Sequence, residues 1–336
     1  MTGYSLLDLV PVVEGGSVHQ ALANAADLAV HVERLGFARY WCAEHHGMAG
    51  IASAATSVVL AHIGAATSTI RIGAGGIMLP NHSPLVIAEQ FGTLDALFPG
   101  RIDLGLGRAP GSDQRVARAI RRTLESDPNA FPRDVMELQS YFAGADEIGG
   151  QAGITATPGA GANPQLWILG SSLFGAQLAA ALGLPYAFAS HFAPDALDQA
   201  LALYRRDFRP SAQLDRPYAM AGFNVFAADT DAEAELLASS QQQAFVALRT
   251  GHPRQLPPPV AGYRESLPPP HAAILDHVLQ CSAIGAADTV ARGIAAFVER
   301  AQVDEVMVAS AIYDHDARKR SLAITAEAMR EVRAAA

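Results

Sequence analysis

Lysine is almost missing from this chain: Lys319 is the only one among the 24 basic residues, and the rest are arginines. No Gly-Lys-Ser/Thr occurs anywhere, which excludes a P-loop nucleotidase. A Schiff-base enzyme would have to depend on Lys319, which lies well inside the last helical pattern rather than at a strand end. Cysteine is scarce too. Cys42 and Cys281 are too few for a disulfide framework, and a reducing cytoplasm is the expected setting. Positive charge is in deficit: the formal net charge of −9 gives no electrostatic reason to bind nucleic acid or an anionic membrane. The amino terminus lacks the basic region of a signal peptide. Charges interrupt every apolar run of membrane-spanning length except Ile51 to Ile70, which Ser, Thr, His62 and Gly64 break up.

What is present is a chain of 336 residues, half of them apolar, able to bury a large core. Strand-like runs occur at Tyr4–Val10, Ala38–Ala43, Ile70–Ala74, Ile102–Leu106, Gln165–Leu169, Pro185–Ser190, Tyr218–Ala227 and Val303–Ser310. Helical patterns follow each, at Val18–Leu35, Ser53–Ala66, Leu85–Phe98, Asp113–Leu124, Phe174–Leu182, Pro194–Phe208, Asp231–Leu248 and Asp316–Ala334. Alternating units of this kind predict a (β/α)8 TIM barrel, since each pair of parallel strands needs a crossover helix. A typical barrel has roughly 250 residues. The surplus predicts two long insertions, approximately 125–164 and 250–284, within one domain; both follow strands at the active-site end and are candidate lids. The rival Rossmann fold lacks its fingerprint. Gly105-Leu106-Gly107-Arg108-Ala109-Pro110-Gly111 has the wrong spacing and a proline where the helix should begin.

The stretch from Trp41 to Asp113 carries most of the chemistry. Glu44-His45-His46, Gly73–His82, and Arg108 with the Asp113 loop stand at the carboxyl ends of successive apolar strands, where such barrels build their sites. Eleven histidines invite a metal, but no two are two apart and no His-Glu-x-x-His occurs. Adjacent His45 and His46 would point to opposite sides of an extended strand, so no metal is expected. Acid–base work by His45 is expected instead, with Glu44 fixing its tautomer and His46, His82 or His191 as alternatives. Gly75 and Gly76 strip side chains from a strand end, which suits either a tight turn or a flat ligand lying on the backbone. Arg108 alone would be a surface ion pair, and Ser171-Ser172 alone a helix cap. On successive strands, the stripped wall, the arginine and the serine-capped helix start together suggest a planar, phosphorylated cofactor.

The residues Leu35–His46, Gly75–Pro84, Gln90 and Gly100–Arg108 resemble the bacterial-luciferase-like flavin monooxygenases. The likeness runs from Tyr4 to Asp113 and returns at Leu166–Ser190 and Val303–Ser310. It implies a (β/α)8 barrel, a homodimer, and reduced FMN delivered by a separate reductase and reacting with O2 at the flavin C4a to give a peroxide that oxidises a small-molecule substrate. Deazaflavin F420 with hydride transfer, and a catalytically silent flavin-binding dimer, are the alternatives. By position, His45 matches the family's catalytic histidine, and Gly75-Gly76 the pair whose unusual peptide bond supports the isoalloxazine, so a cis peptide is expected there. Arg108 and Ser172 match phosphate ligands. The chain departs from the family in having Gly175 where a further hydroxyl can stand, Gly107 in place of luciferase's reactive cysteine, and His191 where an aromatic packs on the flavin. Light emission is not expected. The charge-free span between Glu44 and Arg71 makes Ser53–Ala66 small and apolar nearly all round, which predicts burial of this helix at a dimer interface.

Overall fold

A computed structural model describes residues 2–109, 114–120, 130–143 and 154–335. In chain order its elements are β1 (Gly3–Asp8), α1 (Val18–Leu35), β2 (Arg39–Cys42), α2 (Thr56–Ala66), β3 (Arg71–Met78), α3 (Pro84–Leu97), β4 (Ile102–Gly107), α4 (Gln114–Ile120), α5 (Phe131–Ala143), β5 (Gln165–Gly170), α6 (Leu173–Leu182), β6 (Tyr186–Phe188), α7 (Leu197–Asp207), β7 (Ala219–Ala227), α8 (Asp231–Arg249), α9 (Pro269–Val278), β8 (Ser282–Gly285), α10 (Ala287–Ala301), β9 (Glu305–Ala309) and α11 (His315–Ala335). Eight of the strands close a parallel ring in the order β1-β2-β3-β4-β5-β6-β7-β9, with β9 returning to β1, so the fold is a TIM barrel. These are the eight strands the sequence predicts. Buried on both faces, they read as continuous apolar runs rather than alternating ones.

A ninth strand, β8, was not expected. The long β7 forks: Met220–Asn224 pairs with β9 inside the ring, while Asn224–Ala227 runs beyond it and pairs with β8. The second insertion therefore contains α9 and β8, and α10 supplies the crossover to β9. Its first part is a strap. The Leu256 amide donates to the Val12 carbonyl at 3.0 Å, the Glu14 amide to the Leu256 carbonyl at 2.9 Å, and the Val12 amide to the Gly50 carbonyl at 2.9 Å. Three loops over the barrel mouth, after β1, after β2 and before α9, are thus zipped together. Phe245, Val246, Leu275 and Val278 give this insertion an apolar cluster of its own. In the first insertion, α5 turns Phe131, Val135, Leu138, Tyr141 and Phe142 into the main core. That segment is a packed element; residues 125–129 and 144–153 of the insertion, and Asp113 and 121–124 of the predicted helix, lie outside the described residues.

Charge fills the floor of the barrel. Arg39 lies between Asp103 (2.8 Å) and Glu305 (3.2 Å), and Arg71 reaches Asp103 at 2.7 Å. The Trp41 indole N–H also donates to Asp103, at 2.9 Å, and Tyr218 Oη donates to Glu305 at 2.8 Å. Burial works against the Arg39 charge, but the two carboxylates outweigh it and raise its pKa. Above this layer Trp41 and Trp167 meet edge to face at 5.2 Å, with Leu7, Met220 and Met307 around them.

The uncharged helix starts at Thr56, not Ser53. Ser53 is fully buried beneath it and donates to the Ala43 carbonyl (2.6 Å), with the Leu9 carbonyl at 3.2 Å as the alternative acceptor. Val59, Leu60 and Ile63 face the core, while Val58 is 69% exposed and His62 and Ala65 are exposed beside it. No helix among the described residues is long and apolar enough to cross a membrane.

Candidate active site at the barrel mouth

The carboxyl ends of β2, β3, β4, β5 and β6 carry the site residues expected from the sequence, except Asp113, which lies outside the described residues. Glu44, 1% exposed, leaves β2 with its amide on the Gly76 carbonyl (3.3 Å) and its side chain turned to the neighbouring loop. Its Oε1 accepts from His46 Nε2 at 2.6 Å and from His82 Nε2 at 2.8 Å; its Oε2 accepts from the Met78 amide at 2.9 Å. Burial alone would push this carboxyl up. The hydrogen bonds and charge of His82, then His46 and the Met78 amide, outweigh it and hold the carboxyl below the ordinary glutamate value. This corrects one expectation: Glu44 orients His46 and His82 rather than His45. The sequence could not show the trio, because His82 is 38 positions from Glu44 and arrives on the loop after β3.

Among the described residues, Glu44, His46 and His82 also bring three metal-ligating atoms within 4.8 Å of one another. Two Nε2–H donors on one carboxylate oxygen account for that closeness. Both rings then carry a proton on Nε2.

Strand β3 does not stop at Ala74. It runs through the glycines to Met78, with a register shift between Gly75 and Ile77, and the Gly75–Gly76 peptide is cis, as the resemblance implied. A Cβ on Gly76 would stand 2.3 Å from Leu169 Cδ1 and 2.5 Å from the Gly105 carbonyl, and one on Gly75 2.8 Å from Trp41. The barrel's own packing therefore demands both glycines. Gly75 stays partly exposed at the mouth and offers bare backbone there.

Arg108 and the Ser171-Ser172 turn meet at the start of α6. The Arg108 guanidinium lies 4.2 Å from the centre of the Phe174 ring, and among the described residues it has no carboxylate partner. Ser172 is the N-cap residue, as its spacing suggests, yet its hydroxyl does not close the cap; both serines are exposed. Tyr186 Oη donates to the Ser172 carbonyl at 3.2 Å and steadies the turn. The missing hydroxyl at Gly175 matters less than expected. A Cβ there would face the Leu169 carbonyl and Tyr186, each at 3.2 Å, so that position points into the barrel wall. The result, among the described residues, is a guanidinium without a carboxylate partner beside the first-turn amides of α6 and two hydroxyls, an anion cradle.

His191 enters from the loop after β6 and lies near His45; burial first, and the charge of His45 second, disfavour protonation of its ring. Residues that seat it were missed in the sequence. Ser190 Oγ donates to the Gly222 carbonyl at 2.6 Å, and Asn224 Nδ2 to the His191 carbonyl at 2.8 Å. Gly222 in the middle of an apolar strand was the available signal, since such a glycine marks a close approach.

Known proteins are similar to this chain in sequence and fold. The family model described as luciferase-like monooxygenase matches residues 5–305. A protein of Escherichia coli (strain K12) described as a luciferase-like monooxygenase is 51% identical over 329 residues, 98% of this chain and 97% of its own length. Among solved structures, apo-MsnO8 superposes with a TM-score of 0.86 at 32% identity, covering 98% of this chain and 99% of that one. The oxygenating constituent of 3,6-diketocamphane monooxygenase from Pseudomonas putida, in complex with FMN, gives 0.74 at 17% identity over 99% and 98% of the two chains. An F420-dependent secondary alcohol dehydrogenase gives 0.69 at 14% identity over 98% and 99%. The last two likenesses concern the fold alone.

Proposed function

Because the chain belongs to the luciferase-like monooxygenase family, we propose that it is a flavin-dependent monooxygenase that takes reduced FMN from a separate reductase and uses O2 to oxidise a small organic substrate. The observation that carries this reading is one barrel mouth holding both a proton-handling cluster, Glu44 with His46 and His82, and an anion cradle at Arg108 and the start of α6. FMN fits the pair. Arg108, Ser171, Ser172 and the first-turn amides of α6 would hold its phosphate. Gly75, Gly76 and His191 would hold its ring.

When bound, the reduced flavin supplies two electrons to O2, one oxygen atom passing to the substrate and the other leaving as water. The chain's own side chains handle the protons. His45 serves the reacting oxygens at the mouth. Glu44 locks the Nε2–H of His46 and His82, so their Nδ1 atoms are what remains to exchange protons. The strap, apolar at Leu256 and at Pro257–Pro259, keeps water out. Two further features belong to this reading: the free, buried Cys42 and Cys281 suit a cytoplasmic enzyme, and the exposed face of α2 is the centre of a homodimer.

The test is a spectral titration of the purified chain with oxidised FMN, reduced FMN and F420, coupled to oxygen uptake. Tight binding of reduced FMN with oxygen consumption supports the reading. Hydride transfer from reduced F420 without oxygen uptake replaces it with an F420-dependent oxidoreductase. Bound flavin without turnover of either kind makes the chain a silent flavin-binding protein.

A further inference from the structure

Resting on the flavin reading above, we propose that His191 does the opposite work to His45: it is an uncharged imidazole with its one proton on Nε2, seated by Gly222, Ser190 and Asn224 so that it donates a hydrogen bond to the bound reactants and takes up no proton. In the ring order, β2 and β6 stand four places apart in either direction, so the loops carrying His45 and His191 face each other across the mouth. The backbone around His191 is pinned on both sides to β7. Ser190, fully buried, holds the Gly222 carbonyl at 2.6 Å, and Asn224, 2% exposed, holds the His191 carbonyl at 2.8 Å.

The ring occupies the place on β7 where the side chain is missing. A Cβ on Gly222 would stand 2.0 Å from His191 Nδ1, a separation no substituted residue could tolerate. Nδ1 is therefore buried against the strand, and among the described residues it has no hydrogen-bond partner. A proton on it would be a buried N–H with nothing to receive it, which is costly. Imidazolium needs protons on both nitrogens, so the single proton belongs on Nε2 and a second is refused.

The surrounding groups act in the same sense. His45 faces the ring across the mouth. The Arg249 guanidinium stacks on the next residue, Phe192, at 4.5 Å and donates to its carbonyl at 2.9 Å. Cys281, beside Ser190, is a thiol that burial keeps neutral. Burial first and His45 second push the His191 imidazole down to about 4. A histidine kept neutral at working pH polarises an oxygen through its N–H without protonating it, while a partner of ordinary basicity moves the proton.

The test begins on the ligand-free full chain, with two-bond proton–nitrogen correlation spectra of the imidazoles and His191→Phe used for assignment. The expected result is the neutral Nε2–H pattern for His191, unchanged between about pH 5.5 and about pH 8.5. A proton on Nδ1, or a titration midpoint above about 6, overturns the proposal. A second comparison tests the donor role. Glutamine carries an N–H close to the place of Nε2, so His191→Gln is expected to keep product formation within about ten-fold, whereas His191→Phe loses about 10²-fold, both still binding oxidised FMN. Equal losses in the two variants overturn it. The spectra need no flavin. Failure to bind FMN would remove the flavin reading while the protonation result stood, and a wrong tautomer in a chain that binds FMN would remove only the present inference.

Discussion

Glu44 is the residue on which the mouth turns, because one buried carboxylate collects three donors from two loops. Glu44→Gln replaces one acceptor oxygen with a donor amide, so it must break at least one of those bonds. The expected loss at pH 7 is about 1–3 kcal/mol of stability, measured by chemical denaturation. The sign with pH follows from the depressed carboxyl. Stability contributed by a group whose folded pKa is lowered is present above its unfolded value of 4.5 and disappears as pH falls through the folded value. The gap between wild type and Glu44→Gln should therefore close on acidification below about pH 4. A gap of constant size from neutral to acid would show that the charge on Glu44 contributes nothing. Residue identities here were legible in the sequence, but their wiring was not. Glu44 next to His45 suggested that pair, whereas the carboxylate turns away toward a partner brought in by the neighbouring strand.

At the scale of elements, α6 and the end of β4 form one device. Arg108→Ala should weaken FMN binding by about 1.5–3 kcal/mol while leaving riboflavin, which lacks the phosphate, nearly unaffected. Fluorescence titration with both flavins decides it, and equal losses would place Arg108 outside the phosphate site. Most elements could be read from periodicity, including the strands of the ring and nearly all of its helices. The region after α8 could not. β8 is a four-residue strand, Ser-Ala-Ile-Gly, too short for a pattern to register, and its place depends on the overhang of β7. The spacing of Val290, Ile294, Phe297 and Ala301 was a helical signal available for α10, hidden by its position beside a proline-rich insertion. The glycines of β3 mark a break in sequence but stay in the sheet, because neighbouring chains crowd the space their side chains would have filled.

For the molecule as a whole, two surfaces decide stability and assembly. Arg39→Met leaves Glu305 and Asp103 buried with one fewer cation, at an expected cost of about 3–5 kcal/mol, to be read as a lowered denaturation midpoint at unchanged slope. A loss below about 1 kcal/mol would mean that Arg71 and Trp41 suffice to hold the floor. On the outside, the composition of α2 pointed correctly to an unusual helix, yet it could not tell the inward face from the outward one. Val59 and Ile63 are core residues, so the outward test is Val58→Arg. Sedimentation at micromolar concentration should show a dimer for the unchanged chain and monomer for the folded variant. A dimer that survives Val58→Arg would move the interface elsewhere.

The filled barrel axis has a consequence for traffic. Arg39 with its carboxylates fills the floor, Trp41 and Trp167 pack above it with Leu7, Met220 and Met307 around them, and the strap crosses the mouth. On the flavin reading proposed above, gas, organic reactant and spent product would share the mouth, since among the described residues the axis is filled. Whichever guest lies deepest must arrive first and depart last, so the sequence of arrivals is imposed by architecture rather than by affinity. A queue of this kind makes an excess of the late-coming guest obstruct the early one, as inhibition at high concentration that disappears when the early guest is supplied first.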